Sequence, residues 1–371
     1  MNYSARSLKR FGQVMSLLLV SAAVATAQKS PSATRVWSVG PLTKSQPVMG
    51  VAFGPGGATF TRPHVDSQTS SIFAATRSVA FAGSRIVLVS MIGMRKVEGK
   101  QVPEDVYQLL SLDANTGNVE NTREVGAFGS VQVFGTNDAH VIVTGRSLLR
   151  LTPELRDDGS FDYHATGHKF GNVENISPDG TTLGNNTSPG FELIDARTLK
   201  ATELTAAPSV DTSVSSGGFV TDNVHWTRDY PKDLGFITYT DAAGEHLLYH
   251  GPCGGRPQFL TNDLVFEPGC KSPLIIDIHG NLLRTISVKG SFSYAGVSQN
   301  GQRFALQVAS FDGSGSLKHE HFEIYSIDTG QLIANVEPDE LAEGQSWTSF
   351  SPDGSMLVVG SPSKLTLYRL P

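Results

Sequence analysis

The chain has 371 residues, of which 39% are hydrophobic, 17% charged and 8% aromatic, with 38 Gly and 19 Pro. That apolar share excludes a disordered chain, and scarce charge with abundant Gly, Ser and Thr favours short strands joined by turns over helices. The net charge of −6 excludes a strongly basic nucleic-acid binder.

The N-terminus reads as an export signal. Arg6, Lys9 and Arg10 form a positive region, Val14 to Ala25 is apolar apart from Ser16 and Ser21, and Ala25-Thr26-Ala27 supplies small residues for cleavage. The apolar run is too short to span a bilayer comfortably. A signal peptide over 1–27 is therefore expected, and no later run is apolar enough for a transmembrane anchor. Cleavage removes three of the 29 basic residues and none of the 35 acidic ones, which leaves a net charge of −9. A periplasmic or secreted domain over 28–371 follows.

After the leader, Arg35 to Leu42 reads as an isolated strand. Residues 43–71, with Gly54-Pro55-Gly56-Gly57, read as a flexible excursion without a dinucleotide fingerprint. From there the chain repeats in units of about 40 residues, each with four short apolar strands and two turns. The clearest first turns are Ser177-Pro178-Asp179-Gly180, Ser298-Gln299-Asn300-Gly301 and Ser351-Pro352-Asp353-Gly354. Pro presets φ, Asp tolerates the next position, and Gly accepts positive φ. Asp113-Ala114-Asn115-Thr116-Gly117 and Ile327-Asp328-Thr329-Gly330 mark second turns. The units fall near 72–126, 127–168, 169–208, 209–251, 252–290, 291–340 and 341–371. The last unit has only three strands, so the strand at 35–42 is expected to complete it.

Such units are propeller blades, and the fold class expected is all-β, a single seven-bladed β-propeller, with six or eight blades as alternatives. The Ser-Pro-Asp-Gly and Ile-Asp-Thr-Gly turns resemble exported bacterial β-propellers of the WD40-like, TolB-like and YVTN types. The complete turn occurs only at 177–180 and 351–354, and no Gly-His or Trp-Asp pair marks a WD40 blade. The resemblance implies that first-to-second and third-to-fourth turns share one face. The second-to-third loops, long at 93–105, 228–233, 267–273 and 309–320, share the other. Those loops hold Arg95, Lys96, Arg228, Tyr230, Lys271, Lys318, His319 and His321, with Trp226 adjacent. Basic and aromatic residues on long loops are candidates for capturing an acidic partner, or are simply solvated charge.

Cys253 and Cys270 fall on the same face of one blade by this reading, and an oxidising compartment permits a disulfide between them. His319-Glu320-His321 places two imidazoles on one side of a strand but lacks further zinc ligands, and reads as an exposed polar strand start. Asp157-Asp158-Gly159 through Asp162 lacks calcium-loop spacing and reads as a turn. There is no Gly-x-Ser-x-Gly, no phosphate loop and no His-Glu-x-x-His, and no cofactor is evident. The function expected is a monomeric binding or scaffold module of the cell envelope, for an envelope or extracellular protein or a small ligand. The alternative is a lactonase-like hydrolase or a lyase with a site at the central channel, recognisable by Asp, Glu, His or Asn side chains converging there.

Overall fold

Short turns closed by their own side chains set the strand lengths. Ser177 Oγ donates to Asp179 Oδ1 at 2.6 Å, Thr181 N donates to the same oxygen at 3.1 Å, and Gly180 takes φ 70°. Ser351, Asp353 and Gly354 repeat the arrangement, with 2.6 Å between Ser351 Oγ and Asp353 Oδ1 and φ 69° at Gly354. Ser298, Asn300 and Gly301 do so with 2.7 Å and φ 67°. A further copy carries different letters. Thr136 Oγ1 donates to Asp138 Oδ1 at 2.6 Å, and Ala139, not Gly, stands at φ 65°.

The computed structural model describes residues 31–40, 50–54, 57–61, 76–95, 104–127, 130–162, 171–187, 190–204, 212–225, 234–251, 255–269, 272–315, 317–338, 347–361 and 364–371. The chain opens with β1 (Thr34–Val39) and a hairpin of β2 (Gly50–Gly54) and β3 (Gly57–Thr61). Blade 1 is β4 (Thr76–Ala82), β5 (Arg85–Arg95), β6 (Glu104–Asp113) and β7 (Val119–Ala127). Blade 2 is β8 (Val133–Gly135), β9 (Val141–Val143), β10 (Leu148–Leu151) and β11 (Asp157–Phe161). Blade 3 is β12 (Gly171–Ile176), β13 (Thr182–Thr187), β14 (Phe191–Asp195) and β15 (Ala201–Leu204). Blade 4 is β16 (Thr212–Val214), β17 (Gly218–His225), β18 (Leu234–Asp241) and β19 (Gly244–Gly251). Blade 5 is β20 (Gln258–Thr261), β21 (Leu264–Glu267), β22 (Leu274–Asp277) and β23 (Leu282–Thr285). Blade 6 is β24 (Ser291–Val297), β25 (Arg303–Phe311), β26 (Leu317–Ser326) and β27 (Leu332–Val336). Blade 7 is β28 (Trp347–Phe350), β29 (Met356–Gly360) and β30 (Leu365–Arg369), completed by β1 in the order β1-β30-β29-β28.

The protein is therefore a seven-bladed β-propeller of antiparallel four-stranded sheets, closed by its N-terminal strand. No helix among the described residues is long and apolar enough to cross a membrane. Each strand turns one side to each neighbouring blade, so apolar side chains collect in the seams between blades. Seven buried clusters result, one per seam. The seam between blades 3 and 4 has the shortest set, Phe191, Leu193, Val214 and Phe219, with the two phenyl rings 4.7 Å apart.

Three local expectations change. The excursion at 43–71 contains the β2–β3 hairpin, whose turn is flanked by the paired Gly54 and Gly57. Asp157 and Asp158 begin β11 and do not form a turn, because Arg123 holds Asp157 at 2.8 Å and Arg150 Nε holds Asp158 at 2.7 Å. The segment 309–320 is mostly hairpin: β25 runs to Phe311 and β26 starts at Leu317. Cross-strand pairing there continues beyond the point where the sequence loses apolar alternation.

Candidate functional site

Antiparallel pairing fixes the two faces of the ring. Each innermost strand starts on the face of the second-to-third loops and ends on the face of the tight turns. The innermost strands β4, β8, β12, β16, β20, β24 and β28 enclose an axial channel of about 280 Å³. Its polar lining is Ser78, Asn175, Ser177, Ser213, Gln258, Tyr294, Gln299, Thr348 and Ser349. Among the described residues, no Asp, Glu, His, Lys or Arg lines this wall. Among the described lining residues, Asn175 is the one member of the Asp, Glu, His or Asn set that the enzyme alternative calls for there. Its amide nitrogen is already committed, donating to Thr212 O at 2.6 Å.

One end of the channel is barred. Gln299, in the first turn of blade 6, reaches across the ring and donates from Nε2 to Gly135 O of blade 2 at 2.9 Å. A Cβ on Gly180 would lie 2.7 Å from the same Nε2, so the glycine that closes the blade 3 turn also makes room for the bar. On the tight-turn face, Asn262 Nδ2 donates to Asp179 Oδ2 at 2.7 Å and joins blade 5 to blade 3. Burial works against the Asp179 charge, but hydrogen bonds from Ser177, Asn262 and Thr181 outweigh it and hold the carboxyl below its ordinary range.

Towards the long-loop face the channel meets a recess of about 240 Å³ between the first residues of β4 and β28 and the middle of β24. Ser78, Tyr294, Gln307, Phe322, Trp347 and Thr348 are among its walls. Gln307 Nε2 donates to Glu320, which is 2% exposed. Burial raises the Tyr294 phenol above its ordinary value, so it stays a neutral donor.

The structure treats the sequence candidates unevenly. Lys96, Trp226, Arg228, Tyr230, Lys271, Cys253 and Cys270 lie outside the described residues. Gly255 and Pro268, two residues inside each cysteine, are in contact across the blade. Arg95 is the last residue of β5, and Lys318, His319 and His321 lie on β26. His319 and His321 do share one side of the strand, with rings stacked 5.1 Å apart. Their partners are acidic: His319 Nε2 lies 3.6 Å from Glu337 Oε2, and His321 Nε2 lies 3.4 Å from Glu323 Oε1. The hydrogen bond to Glu323 outweighs burial and raises His321, while bonds from His321 and Tyr325 outweigh burial and hold Glu323 low. The expected exposed strand start therefore holds for His319, whose side chain is 52% exposed, but not for Glu320 and His321, which are 2% and 18% exposed. Among the described residues no cluster of His, Cys, Asp or Glu is suited to hold a metal.

Sequence reading missed the buried carboxylates at the long-loop face. Glu104 starts β6 and is 1% exposed, and Arg146 of blade 2 pairs with it at 2.6 Å. Glu267 ends β21 and is fully buried. It accepts from Gly269 N at 3.0 Å, while its second oxygen has no hydrogen-bond partner among the described residues. Desolvation, aided by Asp222, pushes its carboxyl up to about 8. Nothing in the local pattern Leu-Val-Phe-Glu-Pro distinguishes this glutamate from an exposed one at a strand end.

Solved structures similar to the chain include the C-terminal WD40 domain of Sif2, at 11% identity over 80% of this chain and 96% of that chain, with TM-score 0.43. BamB from Moraxella catarrhalis is similar at 14% identity over 91% of this chain and 100% of that chain, with TM-score 0.42. The Dos1 propeller is similar at 12% identity over 80% and 92%, with TM-score 0.42. No protein-family model and no curated protein sequence matches the chain. The strand pairing itself carries the propeller assignment, and the roles of these neighbours do not pass to this chain at such distances.

Proposed function

We propose that this propeller is an exported binding module of the cell envelope that receives a partner protein or small ligand on its long-loop face. The observation that carries the reading is the polarity of the channel: Gln299 bars the tight-turn end, and an uncharged polar wall continues to a recess at the other. A ligand approaching the axis therefore enters past the second-to-third loops. Loops on a rigid sheet scaffold suit recognition, because the scaffold bears the folding energy and leaves them free to vary. The Arg6 to Ala27 pattern supports export.

The partner surface is tested by charge reversal. Arg95→Glu with Arg228→Glu should abolish capture of an envelope partner by the immobilised chain. Asp328→Lys, on the tight-turn face with its side chain 94% exposed, should leave capture intact. Equal capture by all three proteins would refute the assignment of the face.

A further inference from the structure

A recess lies between blades 6, 7 and 1. We propose that it takes a neutral, hydroxyl-rich ring the size of one sugar residue. The proposal rests on the binding-module reading of the same face and names its ligand class.

Size comes first. The recess measures about 240 Å³, below the roughly 300–1,000 Å³ of sites that enclose drug-sized ligands. It has room for one ring, and it opens into the axial channel. Charge comes second. No described lining residue carries a formal charge. A charged ligand would shed its hydration without meeting a counter-charge, a cost of several kcal/mol or more. The buried Glu320 carboxylate accepts from the lining Gln307 amide.

Hydrogen-bonding chemistry comes third. The Tyr294 hydroxyl and the Trp347 indole N–H make no hydrogen bond among the described residues, although both line the recess. Thr348 Oγ1 donates to Ala295 O, which leaves its lone pairs for an incoming hydroxyl. Ser78 Oγ, by contrast, is shared with Val133 N and O at 3.2 Å, and so shapes the wall. The partly exposed rings of Trp347 and Tyr294 supply surface for the C–H face of a ring, with Phe322 fully buried behind them. Two vacant donors beside aromatic surface fit a molecule with one apolar face and a hydroxyl rim.

Titration calorimetry of the full chain with glucose, galactose, mannose, N-acetylglucosamine and scyllo-inositol tests this. Glucuronate, glucosamine and glucose 6-phosphate serve as charged counterparts. At least one neutral ring should bind saturably, and its charged counterparts should bind at least tenfold more weakly. Tyr294→Phe keeps the ring and removes the donor, and should weaken binding about five- to tenfold, the worth of one hydrogen bond. Trp347→Phe should weaken it similarly, and Thr348→Val provides a third variant should either of these melt early. The proposal is overturned if no neutral ring binds saturably, if charged analogues bind equally well, or if binding ignores all three substitutions. Partner capture measured on the same proteins separates the two readings. Capture without sugar binding refutes the ligand class alone, and sugar binding without capture refutes the protein-partner surface alone.

Discussion

At the scale of single residues, Glu267 carries a desolvation cost that its partners do not offset. A buried carboxylate with one oxygen satisfied gives up hydration that its single N–H partner does not replace. Its folded-state value of about 8 lies above the ordinary 4.5, so between those values the unfolded chain releases a proton that the folded chain keeps. Stability from this group is thus fully present below about pH 4.5 and is lost as pH rises through 8. Glu267→Gln preserves the acceptor for Gly269 and removes the titration. The variant should be more stable than the parent at pH 9, by on the order of 3 kcal/mol, and the gap should close towards pH 5. Thermal unfolding of both proteins at the two pH values measures it. A gap independent of pH would show that the carboxyl ionises freely in the fold.

At the scale of elements, the turns divide into those with glycine and those without. Ala139 and Leu199 both stand in the left-handed region, at φ 65° and 55°, in places where other blades have Gly. A Cβ there costs roughly 1–2 kcal/mol. Leu199 offsets that cost by burial, at 8% exposure among Ile142, Leu148 and Ile194. Ala139 buries only a methyl group. Ala139→Gly should therefore raise stability by about 0.5–1 kcal/mol, whereas Leu199→Gly should lower it by about 2–3 kcal/mol as a leucine-sized hole opens. Urea unfolding of the two variants should give midpoint shifts of opposite sign, and shifts of the same sign would defeat the argument. The same substitution hid the blade 2 turn from sequence reading. Thr136-Asn137-Asp138-Ala139 keeps the hydroxyl and the carboxylate that build the turn but lacks its conspicuous Pro and Gly.

At the scale of the whole molecule, the ring is closed by non-covalent pairing of β1 with β30, and that closure involves three blades. Ser38 Oγ meets Thr366 Oγ1 at 2.9 Å within blade 7. Trp37 Nε1 donates to Ala114 O of blade 1 at 2.9 Å, and its ring packs against Gly117. Just before the strand, Ala33 N donates to Asn335 O of blade 6 at 3.1 Å. Trp37→Ala should cost about 2–4 kcal/mol through lost packing and an unpaired carbonyl. Val36→Ala, whose side chain is 39% exposed, should cost a few tenths. Hydrogen exchange should show the loss of protection in the Trp37 variant concentrated in β1, β30 and the third-to-fourth turn of blade 1. Uniform loss around the ring would mean that closure is not the local latch described.

The sequence by itself determined the class and the closing strand and put seven blades ahead of six or eight, a choice the strand pairing then made. Those features depend on local alternation of apolar residues and on Asp, Gly and hydroxyl residues at fixed offsets, which each unit of about 40 residues states independently. It also placed His319 and His321 on one side of a strand, since that follows from a period of two. Only the tertiary structure decided the site. The recess draws Ser78, Tyr294, Gln307 and Trp347 from three blades, and Gln299 and Gly135, which bar the channel, stand 164 residues apart. No spacing rule links such positions, because their proximity is made by closure of the ring. Burial of Glu104, Glu267 and Glu320 was hidden for the same reason. Whether a strand-end glutamate meets water or the next blade is decided by the neighbour that packs on it, and that neighbour lies in another unit of the repeat.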